Sequence, residues 1–182
     1  MKIVIIGVGE VGYSLAQALL RNKHQVTIIE SEPARCNGVV KLLNTVVIHG
    51  DGTNLSTLAD AELDNADILI ALTGRDQDNL IACQLASNKF HVPRTVARVN
   101  HPQNRKLFGK LGGVDTAVST TEIISNIVEE EVSLKDIVTI QSFKNGNVAI
   151  VKMEIGNQSP AKEKHIVDID FPKDCVVIFT FS

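Results

Sequence analysis

The sequence predicts an α/β fold, a doubly wound parallel sheet of about six strands, followed by the beginning of a small α+β domain. Three observations predict it. Short runs rich in Val and Ile alternate with stretches of helical period from residue 1 to about residue 133. Those runs are continuously apolar, as strands covered on both faces must be. Trp is absent and Tyr occurs once among 182 residues, which disfavours an aromatic-rich sandwich.

The elements follow in order. Lys2–Ile6 is the first strand, and Val11, Leu15, Ala18 and Leu19 then recur at helical spacing. Gln25–Ile29 is the second strand. Pro33, with its fixed φ and missing N–H, opens the next helix near its first turn. Thr45–Ile48 is the third strand, running into Gly50-Asp51-Gly52-Thr53 and a short helix over about Asn54–Ala61. Asp67–Leu72 is the fourth, ending at Thr73-Gly74. A longer helix covers about Gln77–Phe90, with Leu80, Cys83, Ser87 and Phe90 on one face. Thr95–Val99 is the fifth strand. Asn100 caps a further helix, Pro102 sits near its first turn, and Gly112-Gly113 ends it. Thr116–Val118 is a short sixth strand, and Ser119-Thr120-Thr121-Glu122 is a capping box opening a helix through about Val132.

Beyond residue 134 the pattern changes to strands over Ile137–Phe143, Val148–Ile155 and Val176–Phe181, with Lys144-Asn145-Gly146-Asn147 as a turn. Residues 1–133 therefore read as one α/β domain, and 134–182 as a linker and part of a second domain. A bare apolar strand at the end invites edge pairing, so the natural protein is expected to continue.

Composition excludes several function classes. A net charge of −3 offers no nucleic-acid surface, and no polybasic stretch suits a membrane surface. No apolar run approaches the ~20 residues of a membrane span. Cys36, Cys83 and Cys175 are far apart, with neither C-x-x-C nor H-E-x-x-H present, so no metal site is expected and the thiols read as idle in a reducing cytosol.

The motif that carries chemistry is residues 7–12, GVGEVG. Gly7 makes the tight turn after the strand, Gly9 lets a pyrophosphate reach the backbone, and Gly12 lets the helix pack close. Glu10 and Val11 complete the loop, and the helix they open offers free N–H groups and a positive dipole end to phosphates. The confirming acid is Glu30, at the end of the second strand, where a carboxylate accepts ribose hydroxyls and repels a 2′-phosphate. This is a Rossmann-like site for NAD(H) or an adenosine nucleotide. The plain alternative is that the glycines only shape a turn and Glu30 is a solvated strand end; their joint occurrence argues against it. GVGEVGYS also approaches the P-loop pattern, but Tyr13 stands where that motif needs Lys.

Asp51, Gly52 and Thr53 follow the third strand on the adenine side. Thr73 and Gly74 follow the fourth, near the switch point. Arg98 lies inside an apolar strand and needs a partner: a ligand phosphate would serve, or Asp78, or a strand-end salt bridge. His49 is the histidine nearest this region, and a satisfied structural role is its simpler reading. A Tyr-x-x-x-Lys pair of the kind some reductases use is missing, since Gln17 stands four residues after Tyr13.

Taken together, MKIVIIGVGEVG, Ile29-Glu30-Ser31, His49-Gly50-Asp51-Gly52-Thr53, Ala66–Gly74 with Asp78-Asn79-Leu80, and Ala97-Arg98-Val99-Asn100 resemble the TrkA-type regulators of potassium transport. The nucleotide-binding half of that family is the RCK N (KTN) domain, and residues 146–182 resemble the opening of its RCK C (TrkA-C) domain. The resemblance implies a non-catalytic cytosolic subunit at the inner face of the membrane. It implies binding of NAD(H), or of ATP/ADP as in related members, and control of a potassium-translocating membrane partner by a homodimer or larger ring. It assigns pyrophosphate to Gly7, Gly9 and Gly12, ribose to Glu30, the adenine side to Asp51, Gly52 and Thr53, and phosphates or the distal ribose to Thr73, Gly74 and Arg98. Many members carry a basic residue where Glu10 stands; Glu10 would repel a γ-phosphate and favours NAD(H). Ile123, Ile124, Ile127, Val128 and Val132 form an apolar stripe on the last helix that either packs on the sheet or meets another subunit. The competing readings are a small NAD-dependent oxidoreductase and an oligomerisation module with a vestigial pocket.

Overall fold

The elements form where the apolar periods place them. In chain order they are β1 (Lys2–Ile6), α1 (Glu10–Arg21), β2 (Gln25–Glu30), α2 (Pro33–Leu43), β3 (Val46–His49), α3 (Leu55–Asp60), β4 (Ile68–Ala71), α4 (Asp76–Asn88), β5 (Arg94–Arg98), β6 (Thr116–Val118) and α5 (Thr120–Val132). An antiparallel pair follows, β7 (Ile137–Phe143) and β8 (Val148–Met153). The computed structural model describes residues 1–109, 112–132, 137–143 and 148–153, and beyond them residues 155, 156, 159, 161, 162, 164–169, 171 and 175–177. The chain divides into two compact units, Met1–Ser125 and Asn126–Ser182, the division falling within α5.

The first unit holds a six-stranded parallel sheet in the order β3-β2-β1-β4-β5-β6. Successive residues of β1 point to opposite faces, and each face has its own core. Val4 and Ile6 join Leu58, Leu63, Leu69 and the small face of α4, made by Ala82, Cys83 and Ala86. Ile3 and Ile5 join Val26, Ile28, Ala16 and Val39 under α1 and α2. Ile5, Ile28, Ile29 and Leu69 are fully buried, and each such side chain contributes about 1.5–3 kcal/mol. Two-sided cover is why the strands carry no polar alternation.

Side chains close two of the helix starts. Asn54 caps α3, its Oδ1 accepting from the Ser56 N–H at 3.0 Å. Ser119 caps α5, its hydroxyl accepting from the Glu122 N–H at 3.3 Å. The Glu122 carboxylate pairs with Arg105.

One element differs. The helix expected after Asn100 is a 3-10 segment, Pro102–Leu107. Asn100 does not cap it. The Asn100 side chain donates instead to the Thr73 carbonyl at 3.1 Å and to Asp76 at 3.0 Å. Arg105 is drawn to Glu122, and Phe108 is buried. A segment pinned at both ends winds about two turns of the tighter 3-10 helix instead of an α-helix.

In the later residues β8 ends at Met153. Val176 and Val177 lie outside any strand, while 178–181 and the turn at 144–147 fall outside the described residues. All five residues of the α5 stripe are exposed, with Ile123 and Ile124 of the first unit at 47% and 60%, so the sheet does not cover these two.

Asp76 joins α4 to the end of β5. Only 5% exposed, its carboxylate accepts from the Asn100 N–H (2.6 Å), Asn100 Nδ2 (3.0 Å), the His101 N–H (3.1 Å) and Asn104 Nδ2 (2.8 Å). Burial pushes this carboxyl up, but the hydrogen bonds, led by the Asn100 N–H, outweigh it and hold the group below the usual range. Asp76→Ala strands these donors and is expected to cost about 1–3 kcal/mol at pH 7 in urea unfolding. A lowered folded-state pKa contributes stability that is complete above the unfolded value near ~3.9 and is lost as pH falls through the folded value. The gap between wild type and variant should therefore hold from pH 7 to about pH 5 and shrink below about pH 4. A gap that persists undiminished in acid would show that the charge is not what the donors hold.

Candidate functional site

The strand order reverses between β1 and β4, which part at their carboxyl ends and leave a crevice there. It encloses about 520 Å³. Gly7, Gly9, Glu30, Asp51, Gly52, Thr53, Thr73, Gly74 and Arg98 all line it, joined by Ser31, Arg35, Gly50, Arg75 and Asp78. Glu10, Val11 and Gly12 are not among its lining residues; they form the first turn of α1. A larger, more open hollow of about 660 Å³ lies at the opposite ends of the strands, around Lys2, Gln25 and Val46. No glycine lines it.

The glycines divide into builders and openings. Gly7 has φ +89°, in the left-handed region where a side chain is strained, and its N–H donates to the Ile29 carbonyl at 2.9 Å. A Cβ at Gly12 would lie 2.2 Å from the Gly7 carbonyl oxygen, so α1 rests directly on the turn. Gly52 is equally constrained, by Ile6 at 2.3 Å. At Gly9 and Gly74, by contrast, a Cβ would meet nothing within 4 Å. Those two positions leave space for a ligand. Gly9 is also the N-cap of α1 and supplies no side-chain cap, so the N–H groups of the first turn are free to meet an anion.

Glu30 is buried at 5% exposure. Its Oε2 accepts from the Val8 N–H at 2.9 Å, and its Oε1 accepts from the Glu32 N–H at 2.9 Å. The carboxylate thus ties the glycine turn to the end of β2 and still has lone pairs for hydroxyl donors. The sequence suggested the binding role alone; nothing in it indicated the tie. Asp51 Oδ1 accepts from the Thr53 N–H and hydroxyl, each at 2.8 Å. These bonds, the backbone one foremost, hold Asp51 below the usual carboxylate range, and Arg75 adds to the effect.

Three arginines face the crevice. Arg35 pairs with Glu32 at 2.9 Å, and Arg75 Nε with Asp78 at 3.4 Å. Asp78 is therefore engaged by Arg75, a residue that sequence reading missed and that only its place after Thr73-Gly74 could have flagged. Arg98 has no ion-pair partner among the described residues, and its Nε is buried without a hydrogen bond. A buried donor left bare is costly unless a ligand completes it. His49 Nε2 meets the Ser31 carbonyl at 3.1 Å and does not line the crevice.

Burial pushes the Cys36 thiol up, with Glu30 adding to it, and burial raises Cys83 to about 12, with Asp115 adding. Both stay protonated. Among the described residues no cluster of His, Cys, Asp and Glu suits a metal, and no helix is long and apolar enough to cross a membrane.

Comparison with known proteins fits this geometry. The TrkA-N domain profile matches residues 3–120. The chain is 34% identical over 178 residues, 98% of its length, to the Trk system potassium uptake protein TrkA of Mycobacterium tuberculosis, covering 80% of that protein. Among solved structures, the GsuK channel bound to NAD superposes with a TM-score of 0.70 at 22% identity, over 82% of this chain and 27% of that one. GsuK bound to ADP superposes with a TM-score of 0.59 at 31% identity, over 71% of this chain and 33% of that one. This chain spans at most about a third of either GsuK chain. With the profile covering more than half of its residues, and with a six-stranded parallel sheet open at its switch point, the chain belongs to the TrkA-N domain family, the nucleotide-binding Rossmann-like domains of potassium transport.

Proposed function

We propose that this chain is a cytoplasmic regulatory module that binds NAD(H), or secondarily ATP/ADP, and thereby controls a potassium-translocating membrane partner. The carrying observation is the joint arrangement in one crevice: an uncapped helix N-terminus at Gly9, a buried carboxylate at Glu30, and a cation at Arg98 with a bare Nε. An adenine dinucleotide matches each in turn, with hydroxyls for Glu30, phosphates for the α1 N-terminus and a further polar group for Arg98. Relatives named for potassium uptake, and GsuK structures with NAD and with ADP, support the reading. Glu10 favours NAD(H) over ATP through its charge at the start of α1, without lining the crevice. Action on a partner requires that the nucleotide bind one arrangement of subunits better than another. A homodimer or ring would supply such arrangements, and the exposed stripe on α5 would serve as one contact. Residues 134–182 then form the linker and the opening of the following small domain.

Calorimetry with NAD+ separates the roles. Gly9→Val should abolish measurable binding while leaving the melting temperature of the free protein unchanged, because its side chain enters open space. Glu30→Ala should weaken binding about tenfold or more and also lower stability by about 1–3 kcal/mol, since the Val8 and Glu32 N–H groups lose their acceptor. Undiminished NAD+ affinity in both variants would remove the crevice as the binding site.

Arg98→Ala should weaken binding without lowering the stability of the free protein, because it deletes a cation whose Nε is bare. In a thermal melt, NAD+ at 100 times its Kd should add about 2.7 kcal/mol to the wild type. No shift with NAD+, NADH, ATP or ADP would favour the vestigial-pocket alternative.

A further inference from the structure

Asn79 stands in the first turn of α4, wholly buried, and it does not line the crevice. Its Oδ1 accepts from the Thr73 N–H at 2.8 Å and from the Thr73 hydroxyl at 2.7 Å. Its Nδ2 donates to the Thr73 carbonyl at 3.1 Å and to the Arg98 carbonyl at 2.9 Å. A side-chain amide has two acceptor sites and two donor hydrogens, and all four are used. Asn100 donates to the same Thr73 carbonyl at 3.1 Å and is itself held by Asp76. The ends of β4 and β5 are thus stitched together directly behind Thr73 and Arg98, two of the residues on the far wall of the crevice. Burying an amide beside Ala82, Cys83 and Ala86 does nothing for packing that an apolar residue of similar size would not do. What the amide adds is a fixed backbone and a fixed hydroxyl at Thr73, and a fixed base for Arg98.

We propose that Asn79 is a positioning residue for the distal half of an adenine dinucleotide, holding Thr73 and Arg98 in binding geometry while the adenosine half depends on other elements. The assignment rests on the proposed reading of the crevice as a dinucleotide site. Glu30 is held by Val8 and Glu32, and Asp51 by Thr53, with no bond to Asn79. A ligand that stops at the first phosphate does not need the far wall to be in place. A ligand that continues past it does, and loses affinity when the wall must be ordered on binding.

The test is calorimetry of NAD+ and AMP on the whole chain, in wild type, Asn79→Ala and Asn100→Ala. Asn79→Ala should lower NAD+ affinity about tenfold or more and change AMP affinity by less than about twofold. Asn100→Ala, at a half-buried position, should shift the same ratio by about threefold. It decides the matter if the first variant does not fold. Equal losses for both ligands would show that Asn79 merely supports the fold, and unchanged NAD+ affinity would show that it does not set the wall; either result overturns the assignment. Failure of wild type to bind NAD+ would instead overturn the reading of the crevice and the assignment with it.

Discussion

The contact on which the molecule depends is that between the Gly7 carbonyl and Gly12. The backbone of α1 comes so near the end of β1 that even a methyl group at Gly12 would sit 2.2 Å from that oxygen. This proximity fixes where α1 begins and what its first N–H groups face. It also forces Gly7 into a conformation only glycine adopts freely. Glu30 secures the arrangement from the side through the Val8 N–H. Everything proposed for the crevice follows from a turn too tight to move independently of the sheet.

The charges of the crevice are largely balanced within the protein. Arg35 meets Glu32 and Arg75 meets Asp78, while Asp51, hydrogen-bonded by Thr53, keeps its negative charge. Exposed pairs of this kind contribute little stability, but they remove competing charges from the site. What remains is two carboxylates, Glu30 and Asp51, and the cation of Arg98. That pattern selects a ligand with hydroxyls at one end and acceptors further along, and it disfavours a ligand with charge everywhere. Glu10, which the sequence places inside the glycine motif, stands outside the lining and can bear on a ligand only through its charge at the start of α1.

Residues whose role is set by their neighbours in the chain were legible in the sequence. The strands of the parallel sheet, the Ser119 cap, the glycine turn and the place of the acid at the end of β2 follow from local periods and spacing. Roles set by contacts between distant segments were not. Asn100 resembles a helix cap until Asp76, 24 residues earlier, and Thr73 claim its side chain. Asn79 enters the sequence reading only as part of Asp78-Asn79-Leu80, with no role of its own, and its bonds to Thr73 and Arg98 come from segments six and 19 residues away. The tie made by Glu30 and the engagement of Asp78 by Arg75 need the sheet assembled before they exist. Spacing in sequence names the groups that meet a ligand more readily than the groups that hold them still.

The two walls belong to different halves of the sheet. The near wall hangs on β1, β2 and β3, and the far wall on β4 and β5, with the crevice at the one place where the strand order turns back. Each wall is internally braced, the first by Glu30 and the second by Asn79 and Asp76. The β1–β4 pairing, from Ile3–Ile68 to Ile6–Ala71, joins the walls at their base, and a nucleotide in the crevice would bridge them again at its open end. Little binding energy is then spent ordering either wall. A site whose two sides were soft would absorb the ligand locally and transmit nothing. A shift in an equilibrium beyond the domain cannot exceed the difference in affinity between its two states.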